Sequence, residues 1–168
     1  MKYILIIICL LGMFKNTYAQ NVIKEDLLKY EQVYDYLKKD STINNQSFSV
    51  SDTLVFMEKS LFWKFFQQKD ESSLECLNRI DSIDQQERFT RIYSSELANR
   101  FSSDTGKSNL YFSKVSENIL FAEYFYRFGM TPSGVNLSGK FNAGCRYLFV
   151  FDENNNIQDV LRQFIAYK

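Results

Sequence analysis

The sequence predicts an α+β fold: N-terminal helices packed on a C-terminal antiparallel sheet of about four strands, arranged as two hairpins. Three observations carry this. Apolar residues recur at spacings of three and four as far as Phe101, which marks amphipathic helices. From Leu110 onward β-branched and aromatic residues come in short runs broken by polar turns, which marks strands. Helices followed by strands, without alternation between them, make α+β rather than a parallel α/β sheet.

The first twenty residues read as a secretory leader. Lys2 gives a short positive start, Tyr3–Met13 an apolar segment, and Thr17-Tyr18-Ala19 a small-residue cleavage site, so the chain is expected to be cut after Ala19. The apolar run is about half the ~20 residues a spanning helix needs, and Lys15 ends it. Cys9 lies mid-segment behind Ile8, the wrong setting for lipidation. Residues 20–168 then form a single domain in the periplasm or outside the cell, with no membrane span after cleavage.

In chain order, Asn21–Lys39 carries Ile23, Leu27, Tyr30, Tyr34 and Leu37 on one helical face. Acids at its start and lysines at its end suit the helix dipole. Ser51-Asp52 caps a second helix running through Phe66, and a strand at Phe48–Phe56 competes with it. Ser72–Phe101 reads as two helices broken near Asp84. Leu110–Val115 and Ile119–Phe128 flank a three-residue loop, Ser116-Glu117-Asn118. Arg146–Asp152 and Ile157–Tyr167 flank Glu153-Asn154-Asn155-Asn156, where Asn suits left-handed turn positions. If Asp152 pairs with Ile157, Tyr147, Phe149, Val160 and Arg162 share one face, and Leu148, Val150 and Leu161 the other. Both faces are then apolar: one packs on the helices, the other on a loop, a ligand or a second copy.

Composition narrows the chemistry. The 20 basic residues balance the 20 acidic ones, which argues against a nucleic-acid partner, because phosphate binding wants a basic excess. With no His in the sequence, Ser-His-Asp and Cys-His nucleophile activation and imidazole-bearing zinc sites are excluded. No cofactor and no metal is expected.

Several motifs fall short of their chemistry. Asp104-Thr105-Gly106 matches the aspartic-protease triplet but lacks a second copy and an apolar strand leading in, so it reads as a connector. Gly134–Lys140 has P-loop spacing, yet Phe141 stands where the magnesium-binding Ser or Thr belongs. Asp152, Asn154, Asn156 and Asp159 begin like a calcium loop, but Ile157 replaces its Gly and Gln163 its final Glu.

Three features remain. Glu123 sits among Phe121, Tyr124 and Phe125, with Tyr111 opposite in a simple hairpin and Arg127 two places along. An acid enclosed in this way can serve as a general acid; more simply, it forms an ion pair with Arg127 or with a neighbouring strand. The segment Gly129–Gly144 is long for a connection, holds the one Pro, and offers Lys140, Phe141 and Asn142 as binding residues. Cys76 and Cys145 are the cysteines beyond the leader, and two alternatives stay open: a disulfide, or two separately buried thiols. The expected function is a non-enzymatic binding or interaction module for a small molecule or an envelope protein. A carboxylate-dependent hydrolase using Glu123 and a structural homodimer through an open sheet face are the alternatives.

Overall fold

The computed structural model describes residues 26–41, 43, 49–89, 91–101, 109–126 and 142–167. The leader, Asp104-Thr105-Gly106, Arg127, Gly134–Lys140 and Phe141 lie outside them. The architecture is α+β, as the sequence predicts. Helix α1 spans residues 26–39 and buries Tyr30, Val33 and Leu37, a three- and four-residue stripe. Strands β1 (Thr53–Leu54) and β2 (Ile92–Tyr93) form a small antiparallel ladder. Between them lie a 3-10 turn at Lys59–Phe62, helix α2 (Trp63–Phe66) and helix α3 (Ser73–Glu87). Helix α4 (Ser95–Phe101) follows β2.

The main sheet is a four-stranded antiparallel meander in the order β3 (Leu110–Phe112), β4 (Ile119–Phe125), β5 (Asn142–Phe151), β6 (Ile157–Tyr167). Its registers agree with the hairpin arithmetic: Tyr111 faces Glu123, and Tyr147 faces Arg162. Both faces are covered. Tyr124, Cys145, Tyr147 and Phe149 pack against α1 and α4 through Tyr30, Leu37, Leu97 and Phe101. Phe121 and Leu148, on the opposite face, pack against Met57 and Phe62.

Five boundaries differ from the sequence reading. No helix starts at Ser51. That segment runs extended, with Ser51 N–H donating to the Leu110 carbonyl at 2.8 Å and Val55 N–H to the Phe112 carbonyl at 2.9 Å, so it shields the edge of β3. Its aromatic run turns helical only after Glu58. The break expected at Asp84 falls instead after Glu87, because Asp84 is a buried anchor inside α3. The first hairpin closes on two residues, Glu117-Asn118, through paired Ser116–Ile119 backbone bonds, with Glu117 at φ 53°. Strand β3 stops at Phe112 because Ser113 Oγ takes the Phe121 N–H at 3.0 Å. Finally, Asn142 is the first residue of β5, so the glycine-spaced connection ends before it and Gly144 lies within the strand.

Candidate cleft and buried ion pairs

Asp84 explains why the second layer holds its position. Its carboxylate accepts from the Lys59 backbone N–H at 2.9 Å and from the Lys59 ammonium at 3.3 Å. The same ammonium reaches Glu87. A buried cation held by two carboxylates of α3 thus pins the 3-10 turn to that helix. Ser72 begins α3 with a capping box, its Oγ accepting from Glu75 N–H and the Glu75 carboxylate accepting from Ser72 N–H.

A cleft of about 270 Å³ opens beside this anchor, between the extended segment at Phe56-Met57 and the β3–β4 hairpin. Phe56, Met57, Phe89, Val115, Ile119 and Phe121 supply its apolar walls, while Lys59, Glu87 and Lys114 supply charge. Phe56 and Phe89 meet edge to face at 6.2 Å. Each ring already has a cation over it: Arg88 lies 5.5 Å from the Phe56 centroid, and the Lys114 ammonium lies 5.8 Å from Phe89. Lys59 is neutralised deep in the wall, whereas Lys114 is exposed. The interior therefore suits an apolar group, with the Lys114 ammonium as an exposed cation at the mouth.

A second hollow of about 300 Å³ is lined by Val55, Arg91, Tyr111, Glu123 and Phe125. Glu123 is 4% exposed. Its Oε2 accepts from Arg146 Nε at 2.8 Å and pairs with Arg146 Nη2 at 2.6 Å, directly across β4 and β5. The expected partner on a neighbouring strand is thus Arg146, while Arg127 lies outside the described residues. General-acid hydrolysis needs a second carboxylate across the cleft, and none lines this hollow among the described residues.

Of the expected binding residues, Lys140 and Phe141 lie outside the described residues, and Asn142 is placed by its backbone at the start of β5. Cys76 and Cys145 are separate buried free thiols. Cys145 points into the cluster beneath α1 and α4. Cys76 sits on α3 in the layer over the other face and donates to the Trp63 carbonyl at 3.4 Å. Burial pushes the Cys145 thiol up to about 11. Beside it, burial also raises the Tyr147 phenol, whose OH donates to Asp40 at 3.0 Å. The calcium-like run is a turn: Asp152 Oδ1 accepts from Asn154 N–H at 2.9 Å and Asn156 N–H at 2.8 Å.

Sequence reasoning did not find this cleft. Its walls come from three separated segments, and the only local signal was the aromatic excess at Phe56 and Phe89. No helix among the described residues is long and apolar enough to cross a membrane. No family model, curated protein or solved structure matches the chain.

Proposed function

We propose that the protein is an exported, non-enzymatic binding module whose cleft beneath Phe89 takes a small, mostly apolar ligand bearing an acidic group. The observation that carries this is the cleft itself: apolar walls enclosing about 270 Å³, with the Lys114 ammonium at its mouth. Export to the periplasm or outside the cell is supported by the leader pattern Met1–Gln20. The pairing of Glu123 with Arg146 weighs against the hydrolase. A guest burying about 200 Å² of apolar surface gains roughly 5 kcal/mol from that burial. Taken alone, that term corresponds to a dissociation constant of about 0.2 mM, and association costs weaken it toward the millimolar range.

The test uses 8-anilinonaphthalene-1-sulfonate, an apolar aromatic sulfonate, titrated against the folded chain and followed by native mass spectrometry. One-to-one saturable binding is expected, weakened roughly fivefold or more by Phe89→Ala and by Lys114→Glu, and unchanged by Glu123→Gln. Equal binding in all four proteins, or none in the wild type, overturns the reading.

A further inference from the structure

The second hollow is built where the small ladder meets the edge of the main sheet. The β1–β2 register sets Thr53 against Tyr93 and Leu54 against Ile92, and continuing it brings Arg91 opposite Val55. Val55 donates its N–H to the Phe112 carbonyl at 2.9 Å, which ties this rung to β3. On the sheet, Tyr111 lies opposite Glu123, and Phe125, two residues further along β4, shares the Glu123 face. These five side chains line about 300 Å³. None of them lines the cleft beneath Phe89.

The charges here are uneven. Arg79, Arg88, Arg100, Arg146 and Arg162 each hold a carboxylate. Arg91 is the exception: it is exposed and holds none among the described residues. Since Arg146 neutralises Glu123, the Arg91 charge is left uncompensated at this hollow. A guanidinium is a planar fork that matches one carboxylate, and its weak hydration lets it work beside apolar surface.

That surface is Val55 with two rings. Tyr111 and Phe125 meet edge to face, with centroids 5.5 Å apart and planes at 85°. Such a corner offers a third ring a face on one side and an edge on the other. At about 30 Å³ per water-sized group the hollow holds roughly ten of them, which suits one ring with a short acidic group. The buried Glu123 carboxylate disfavours a second negative charge, so a dianion such as phosphate fits less well than a monoanion.

We propose that this hollow is a second binding site, for a small aromatic monocarboxylate. Arg91 takes the carboxylate, and the ring of the ligand fills the corner of Tyr111 and Phe125 against Val55.

The probe is benzoate, titrated to about 50 mM into the folded chain and followed by NMR. One saturating curve with a dissociation constant of about 1 mM is expected for a guest of this size. Nuclear Overhauser contacts should run from the benzoate ring protons to the Val55 methyls and the Tyr111 ring. Arg91→Gln should weaken binding roughly tenfold. Arg91→Lys, which keeps the charge and loses the fork, should weaken it less. Benzamide, the neutral isostere, should bind roughly tenfold more weakly than benzoate. Absence of saturation, benzamide binding as tightly as benzoate, or indifference to Arg91→Gln overturns the proposal. Contacts to Met57 and Ile119, with binding weakened by Lys114→Glu and not by Arg91→Gln, place benzoate in the cleft beneath Phe89. That outcome overturns this second site and leaves the cleft standing, whereas a cleft that fails to take 8-anilinonaphthalene-1-sulfonate leaves the second site untouched.

Discussion

Arg146 directs two of its nitrogens, Nε at 2.8 Å and Nη2 at 2.6 Å, to the same oxygen, Oε2, of Glu123 on the neighbouring strand. The pair sits between Tyr111 on β3 and Gln163 on β6 in a single cross-sheet row. The carboxylate is 6% and the guanidinium 13% exposed, so the pair is largely withdrawn from water. Breaking such a pair on one side strands a buried charge.

Arg146→Leu is accordingly expected to cost about 3–5 kcal/mol, whereas the double change Glu123→Leu with Arg146→Leu costs less than that single change. Urea unfolding of the three proteins measures both values. A double variant less stable than Arg146→Leu contradicts the assignment.

Lys59 gives a graded test in the second layer. Asp84 satisfies both the backbone N–H and the ammonium of Lys59, and it is buried. Asp84→Ala should cost about 2–4 kcal/mol through unmet buried donors. Glu87, whose side chain is 45% exposed, should cost less than about 1 kcal/mol on changing to Ala. The order of the two urea midpoints checks this.

Acid should release one interaction at a known place. Hydrogen bonds from Arg79, and then the backbone N–H of Gln68, hold Glu71 at about 2 against an ordinary value of 4.5. A carboxyl lowered on folding stabilises fully above its unfolded value, and its contribution is lost as pH falls toward the folded one. The stability gap between wild type and Glu71→Gln should therefore be constant above pH 4.5 and close between pH 4.5 and 2. A gap that persists at pH 2 contradicts the prediction.

Both thiols should resist chemistry until the chain opens. Burial raises Cys145 to about 11 and raises Cys76 above its ordinary value, which leaves little thiolate near neutrality. Iodoacetamide at pH 8 should label neither in the folded protein and both in urea, and a reductant should leave the melting temperature unchanged. A fall in melting temperature on reduction would show that a disulfide stabilises the fold.

The sheet was legible because its turns are local. The polar tips at Glu117-Asn118 and Glu153–Asn156 set both registers, and through them the faces of Tyr147, Leu148 and Leu161. The Ser51–Phe66 segment misled because its aromatic residues satisfy a helical period while its backbone is claimed by Leu110 and Phe112 from far along the chain. Asp84 looked like a helix breaker because an acid amid polar residues carries no sign of a lysine 25 positions earlier. Arg146 was hidden for a similar reason: β4 and β5 are joined by a long connection, so no hairpin arithmetic reaches from Glu123 to it. The cleft needed all of these placements together.

The most direct test of the binding account is a methyl-resolved NMR titration of the folded chain with 8-anilinonaphthalene-1-sulfonate. The Met57, Val115 and Ile119 methyls line the cleft and should shift together along one saturating curve. Those of Val33 and Leu37, buried across the sheet, should stay in place. Shifts spread through both clusters, or no saturable shift at Met57, Val115 and Ile119, would contradict a ligand site beneath Phe89.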